Sequence, residues 1–526
     1  MKSSAHFARA FGLGVLSVGG FAPFGLIPLT PLALAGVFFL WRRHPEKAPL
    51  AGWSYGFGLF LAGVSWIYVS LHQFGGMAAP LSLLAVALFA AVMALYPLIA
   101  GWLFRRFQGT SWLTDALLAA ACWTLMEWVR GWMFTGFPWL VAGYSQTPPS
   151  PLAGFAPLFG VYGITLALTL AAALIAFAWG ERAHLRTSGG FLGLLLLAGA
   201  LLLPIAWTTP RPTAIEVSLL QGNIEQSLKW RPELLDLSLN TYQKLARENP
   251  ARILVLPETA LPIALERLPL SYLETLRGGK GAGSTLQDAP EHESRARSPS
   301  PPRPSPLKGE GSVVSRSATF VERDVIIGAI TFDQAGNPYN AAVSFGAAPS
   351  QRYAKSHLVA FGEFTPPLFK WTLDLLSIPM SDLSRGTLNQ PPLALAGEKI
   401  AVNICYEDVF GEEIIRALPE ATILLNLSNT AWFGDSFAQP QHLQISRMRA
   451  LETGRPMLRA TNTGMTAAIA PDGTVLGVLP PFTVGALKVT VHGYEGLTPY
   501  ARWGNWPAIL ACLGMLGYAV WRKRKA

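Results

Sequence analysis

The sequence predicts a polytopic α-helical membrane bundle of about eight spans joined to an α/β domain that stands outside the bilayer. Three observations carry this. Of 526 residues, 51% are hydrophobic and only 14% are charged, and the mean hydropathy is +0.33, so lipid must hold a large part of the chain. The long apolar runs cluster in two places, residues 8 to about 207 and 506 to 521, around a more polar stretch. From Ala214 the pattern changes to short runs of Val, Ile and Leu separated by Gly, Pro and Asn and by helical stretches, the alternation of an α/β fold.

Breaks at charges, Gly and Pro place spans at 8–26, 28–41, 50–71, 79–104, 112–133, 153–179, 190–207 and 506–521. Lys2 and Arg9, then Arg42, Arg43 and Lys47, then Arg105 and Arg106, then Arg182 and Arg186, and finally Arg522 to Lys525 all fall on one face if the spans number eight. Positive loops stay cytoplasmic, so both termini are expected there and the domain entered after the seventh span is expected in the periplasm. The loop Leu71 to Ala79 carries no Lys or Arg, as a translocated loop should. These clusters account for much of the +9 net charge, which argues against nucleic acid as a partner. The first apolar run has no A-x-A-like cleavage site and is expected to stay attached. The resulting division is a bundle over 1–210, a periplasmic domain over 211–495, and a last span with a basic tail over 496–526.

In the domain, strands are predicted at Ile215 to Gln221, Ile253 to Pro257, Val325 to Thr331, Asn340 to Phe345, Lys399 to Cys405, Ile423 to Leu427, Pro456 to Ala460, Met465 to Ile469 and Leu487 to Val491. Helices are predicted at Arg231 to Glu248, Phe410 to Ala417 and Gln439 to Thr453. Residues 278–319, rich in Ser, Pro, Arg and Gly, are expected to be a disordered insertion without an assigned role, because they bury too little to fold.

Cys122 and Cys512 fall within predicted spans, and Cys405 stands alone in the domain, without a disulfide partner in an oxidising compartment. Glu258 closes the apolar run ILVLPETA, Lys355 lies in YAKSHLVAFGEF, and Cys405 closes IAVNICYED. Taken singly, each has an ordinary reading: a core thiol, a solvated ammonium, a loop carboxylate. Together they supply a nucleophile, a base and a positive group for an oxyanion, the needs of acyl transfer through a thioester. No Zn-like spacing, no G-x-x-x-x-G-K-[ST] and no G-x-S-x-G is present, so no metal or nucleotide cofactor is implied.

LPET, a Lys followed by HLVxFGE, and CYED resemble the nitrilase superfamily of αββα sandwiches. GFAPFG at 20–25, GFPWL and GYSQ at 136–146, QGNIEQSLKW at 221–230, NTAWFG at 429–434 and QHLQISRMRALETGRP at 441–456 are similar to the apolipoprotein N-acyltransferase family, over all of the chain but the insertion. The resemblance implies Glu258 as general base, Lys355 as oxyanion stabiliser and Cys405 as nucleophile. It implies Glu363 and Glu407 as supporting acids, the N–H of Tyr406 as a further oxyanion donor, and Trp230, Tyr406 and Trp432 as aromatics at the site's entrance. His357, the usual kind of partner for a thiol, is not needed when Glu258 is the base. Ala360 stands where the family commonly has proline, which bears on loop shape.

The activity so implied moves an acyl chain from a membrane phospholipid to the N-terminal amine of a diacylglyceryl-cysteine in an apolipoprotein, in the inner membrane, by a monomer. Two other readings remain open: a membrane-tethered amidase or nitrilase, and a transporter or receptor whose domain only binds. The few charges inside the spans, chiefly Glu127 and Arg130, argue against a transport path.

Overall fold

The structure, a computed structural model, describes residues 2–109, 111–179, 182–225, 235–263, 265–278, 323–365 and 382–525. Trp230, the start of the helix predicted from Arg231, and the 278–319 insertion beyond Gly278 lie outside the described residues.

Eight helices or helix pairs stand in the eight stretches expected to be spans. They are α1 (Lys2–Ser17), α2 (Leu29–Arg43), α3 (Ala48–Gly63), α4 (Ala79–Met93) running into α5 (Leu95–Phe107), α6 (Trp112–Arg130), α7 (Ala156–Ala178), α8 (Arg182–Leu202) and a final helix Trp506–Lys525. By length and apolarity alone, three helical segments among the described residues can cross a membrane: Ala79–Phe107, Pro151–Ala178 and His184–Leu202. A fourth is Pro45–Gly63 with Ile67–Phe74, if that pair, bent by 57°, is one span. The count of eight is therefore not met by this measure, for identifiable reasons. Gly19, Gly20 and Pro23 stop α1 at Ser17, short of the expected Phe21 to Leu26. Helix α2 has only 15 residues, and α6 carries Asp115, Glu127 and Arg130.

The helices approach closely through glycine: a Cβ on Gly14 would lie 2.0 Å from the Tyr55 carbonyl oxygen, and one on Gly52 would lie 2.2 Å from that of Pro97. Contacts also join the basic turns to one another. Arg42 reaches Trp179 O at 3.2 Å, Arg105 reaches Glu46 O at 3.4 Å and Lys523 reaches Arg106 O at 2.8 Å.

The domain between them is two six-stranded sheets packed face to face. The first has the order β12 (Gly485–Glu495), β1 (Thr209–Gln221), β2 (Ile253–Leu256), β3 (Asp324–Phe332), β4 (Pro338–Phe345), β5 (Gln351–Ala354). The second has the order β11 (Val475–Val478), β10 (Ala467–Ile469), β9 (Met457–Thr461), β8 (Ile423–Ser428), β7 (Glu398–Ile404), β6 (Leu393–Leu395). Side chains alternate along a strand, so a strand covered on both faces reads as one apolar run. Val217, Leu219, Ile253 and Val255 point between the sheets, against Val402, Leu425, Leu427 and Leu458. Their neighbours Leu220, Leu254 and Leu256 point outward to Leu239, Tyr242 and Leu245 of α9 (Leu235–Glu248) and to Leu276 of α10 (Leu270–Arg277). Leu424 and Met457 of the second sheet meet Leu443 and Ala450 of α11 (Ala438–Thr453). The layers are thus αββα. The nine predicted strands are present with ends shifted by a few residues, whereas β5, β6 and β11 were not foreseen. Those three are short, and β5, β6 and β11 lie at or toward sheet edges where little apolar area is needed. The helix expected over Phe410 to Ala417 is two short turns, Gly411–Ile414 and Ile415–Ala417.

Helix α11 joins sandwich to bundle. Gln441 accepts from the indoles of Trp66 (3.3 Å) and Trp139 (2.7 Å) and donates to Gly63 O at 3.1 Å, at the bend after α3. Gln444 accepts from Ala22 N at 3.0 Å. Glu452 accepts from Val161 N at 2.6 Å, just after Gly160 breaks α7 with φ of 66°. The motifs around residues 22, 139 and 441 are thus partners, each polar side chain satisfying a buried group that a broken helix leaves open.

Candidate active site

Strands β2, β5 and β7 deliver three residues to one end of the sandwich. Glu258 follows β2, Lys355 follows β5 and Cys405 follows β7. Lys355 is 1% exposed and its ammonium lies 2.8 Å from Glu363 Oε2 and 3.7 Å from Glu258 Oε1. Asn340 Nδ2 donates to both acids, at 2.7 Å to Glu258 Oε1 and 2.9 Å to Glu363 Oε1. Glu258 Oε2 accepts from Asn429 N at 2.7 Å. A tight turn closed by Glu363 N to Val359 O, 2.8 Å, brings Glu363 back onto Lys355, with Ala360 inside it. Burial disfavours the Lys355 ammonium, but Glu363, Glu258 and Cys405 outweigh it and hold its pKa above the ordinary lysine value. It is a fixed positive charge.

Cys405 is half-buried and begins a 3₁₀ turn, Cys405–Val409, with φ of 55°. The left-handed backbone costs a non-glycine residue of order 1–3 kcal/mol and turns the residue off the strand axis. Burial and the charge of Glu258 push the Cys405 thiol up to about 12, against the opposing pull of Lys355. The resting sulfur is therefore a thiol, and attack requires a base. Glu407 fastens this turn to the lysine loop. It accepts from Ile404 N (2.7 Å), Ser356 N (2.7 Å), His357 N (2.9 Å) and Tyr353 Oη (2.9 Å), so one buried carboxylate fixes the residues flanking both Lys355 and Cys405.

The apolipoprotein N-acyltransferase N-terminal domain matches residues 13–174, and the carbon-nitrogen hydrolase domain matches residues 216–499, the span of the sandwich. The chain is 48% identical to the apolipoprotein N-acyltransferase of Nitrosomonas europaea over 523 residues, 98% of this chain and 97% of that one. The chain belongs to the apolipoprotein N-acyltransferase family. It is also 43% identical over 532 residues to the same-named protein of Ralstonia nicotianae, covering 98% of this chain and 93% of that one. A third such protein, from Methylococcus capsulatus, is 40% identical over 523 residues, 97% of this chain and 95% of that one.

This family member also carries a polar floor beneath the cysteine that sequence reasoning missed. Asn426 Nδ2 donates to Cys405 O at 3.0 Å and to Asn403 Oδ1 at 2.7 Å. Arg459 donates to Asn426 Oδ1 (3.0 Å), Asp408 Oδ2 (3.2 Å) and His442 Nδ1 (2.7 Å). His442 Nε2 and Ser446 Oγ each lie 2.6 Å from Asp408. Burial and Arg459 lower the His442 pKa, so the ring is neutral, and its bonds assign the proton to Nε2. Burial would raise Asp408, but His442 and Arg459 outweigh it and hold it below the usual carboxylate range.

Tyr406 turns toward the bundle, with its hydroxyl on Gly136 O at 3.2 Å and its ring parallel to Trp139. His357 is occupied away from the thiol, its ring nitrogens at 3.1 Å from Glu413 Oε1 and 3.0 Å from Thr135 O. Trp432 is half-buried on the turn Thr430–Phe433. Its carbonyl accepts from Ser70 Oγ at 2.7 Å and its ring meets Phe74 edge-on at 5.8 Å. Glu258, Lys355, Glu363 and Cys405 thus form one cluster, with Glu407 behind it and Trp432 at the bundle side.

Proposed function

We propose that the protein transfers an acyl chain from a membrane phospholipid, through a thioester on Cys405, to the N-terminal amine of a diacylglyceryl-cysteine in an apolipoprotein. The observation that carries this reading is the buried Glu258–Lys355–Glu363 cluster beside a thiol that cannot ionise unaided. The relatives' shared name supplies the acceptor class. Glu258 takes the Sγ proton as sulfur adds to the ester carbonyl, and Lys355 with the N–H of Tyr406 faces the oxyanion. Collapse breaks the C–O bond, and Glu258 returns the proton to the leaving lysophospholipid. In the second half the acceptor amine adds to the thioester, Glu258 takes its proton, the C–S bond breaks, and Glu258 passes that proton to the leaving sulfur to restore the thiol. Glu363 and Glu407 position Lys355 and the Cys405 turn, and Trp432 lines the acyl groove.

We read the chain as eight spans over 1–210 and 496–526 around a periplasmic domain over 211–495, in the inner membrane with both termini cytoplasmic. The contacts among the basic turns support one common face for those clusters. It acts as a monomer, with lipid substrates held beside the thiol, which removes encounter entropy.

The test is intact-mass analysis of purified protein incubated with phospholipid. An acyl adduct that hydroxylamine removes, that is missing in Cys405→Ala, and that a diacylated lipopeptide discharges is expected. An adduct carried equally by Cys405→Ala would overturn the assignment. Discharge by water at the same rate as by the lipopeptide would favour the hydrolase reading.

A further inference from the structure

Bundle and sandwich border a hollow of about 240 Å³ at their junction. Four of its lining residues carry a buried polar atom without a hydrogen-bond partner among the described residues: Trp128 Nε1 and Arg449 Nε, both donors, and Glu413 Oε2 and Asn505 Oδ1, both acceptors. Arg449 is 1% exposed and Asn505 is 3% exposed. Buried polar atoms normally find partners, and leaving one without is costly. Four around one hollow mark a place built to be filled. Glycines seat the tyrosines of its wall: a Cβ on Gly131 would stand 2.2 Å from the Tyr162 hydroxyl, and one on Gly411 would stand 2.4 Å from that of Tyr500.

The wall chemistry narrows the occupant. Arg416, Arg449, Glu412 and Glu413 all line the cavity, but Glu452 already answers the Arg449 guanidinium at 3.0 Å, so the hollow is left with two unmet donors, Trp128 Nε1 and Arg449 Nε, and two unmet acceptors, Glu413 Oε2 and Asn505 Oδ1. A group that only accepts would leave the acceptors unmet and one that only donates would leave the donors unmet, whereas a zwitterion meets both. The acceptors on Glu413 and Asn505 call for N–H donors, which an ammonium supplies and a quaternary amine does not. The volume would hold roughly eight waters at ~30 Å³ each. Its rim, however, is indole: Trp128 packs 5.6 Å from Trp132 and 6.3 Å from Trp506. Trp132 is 52% exposed and Trp506 58%. Exposed indoles at the ends of apolar helices lie at headgroup depth.

We propose that this cavity binds the headgroup of a membrane phospholipid that joins a phosphodiester to a primary ammonium, at a site separate from the thiol. The phosphodiester lies toward Arg449 and Trp128, the ammonium toward Glu413 and Asn505. Phe410 stands between this site and the reaction centre, its ring 3.7 Å from that of His357 and 5.2 Å from that of Tyr406. The lipid held here is a bridge between bundle and sandwich, not the acyl donor.

The test is native mass spectrometry of the full-length protein in neutral detergent with equal amounts of phosphatidylethanolamine, phosphatidylcholine and phosphatidylglycerol of the same chains. The expected result is one retained phosphatidylethanolamine, preferred about tenfold over the others, since one unmet ammonium hydrogen bond is worth about that factor. Cys405→Ala should retain it equally. Asn505→Leu, which removes an acceptor and fills space, and Glu413→Gln, which removes the charge and keeps an amide oxygen for His357, should each lower retention about tenfold with circular dichroism unchanged. Equal retention of the three lipids, wild-type retention in both variants, or loss in Cys405→Ala overturns the proposal. Because the thiol is not needed for retention, a failed acyl adduct leaves this result readable by itself.

Discussion

In the bundle, Glu127 and Arg130 lie one turn apart and aim at backbone. Glu127 accepts from Ala142 N at 3.0 Å and from the Trp123 indole at 3.0 Å, and Arg130 donates to Trp139 O at 2.7 Å and to Phe137 O. In the sandwich, Lys355 aims at side chains, the carboxylates of Glu363 and Glu258, and these lie beside a half-buried sulfur. Both regions bury charge, and the difference is in what answers it. Charges answered by backbone amides and carbonyls hold an irregular segment in place and have no capacity left for a ligand. Charges answered by one another around a thiol can follow a proton as it moves. Burial of an ionisable group is thus by itself no sign of chemistry; the identity of its partners is.

The sharpest way to break the comparison is Lys355→Met. It leaves two carboxylates facing a developing oxyanion, so the acyl adduct measured by intact mass should form at least about 10³-fold more slowly. Formation at the wild-type rate would place Lys355 with the structural charges of the bundle. Glu258→Gln separates base from field and should move two readouts in opposite directions. Acylation should fall by about 10²–10⁴-fold, while alkylation by iodoacetamide should speed up, because Glu258 helps push the thiol up to about 12. The sign follows from that shift: below about 12 the thiolate fraction rises tenfold per pH unit. Wild-type alkylation should therefore keep rising past pH 9, where a thiol of ordinary pKa ~8.5 has begun to level off. A plateau by pH 9 would sink the shift.

A smaller effect is expected at the floor. Asn426→Ala removes the donor to the Cys405 carbonyl, and a loosened elbow should slow acylation about 10–100-fold with lipid affinity unchanged. Equal loss of affinity would mean that the floor shapes the groove and not the sulfur. The mildest is Glu127→Leu, which should lower stability by about 1–3 kcal/mol, read as a lower Tm, while acylation per folded molecule stays at the wild-type rate. A loss of turnover without a loss of Tm would make the bundle's carboxylate a participant.

The alternation that sorts Val217 and Leu219 from Leu220 was legible because strand period and burial coincide in neighbouring residues. Glu258, Lys355, Glu363, Cys405 and Glu407 were legible as motif letters, and the structure brings the first four side chains into one cluster with Glu407 behind it. Asn340, Asn426, Asp408, His442 and Arg459 were not. Each is an ordinary polar residue in an apolar strand or helix, and its meaning lies in a partner such as Asn426 to Arg459, 33 residues away. The Asn in LLNLS and the Arg in MLRAT were the available signal, polar residues inside buried strands, where an unpaired group would be costly. A count by length and apolarity alone stops at three or four for a related reason: a helix packed among other helices, like α6, tolerates Asp115, Glu127 and Arg130 that a lone lipid-facing helix would not.

Helix α11 touches the bend after α3 with Gln441 and, one residue on, the floor under Cys405 with His442. The depth of the sulfur relative to the helices is therefore set by direct packing, with α11 as one rigid strut, and not by a tether. On the proposed reading, a reactant dissolved in the bilayer searches a plane, at fixed altitude, for a target that does not bob.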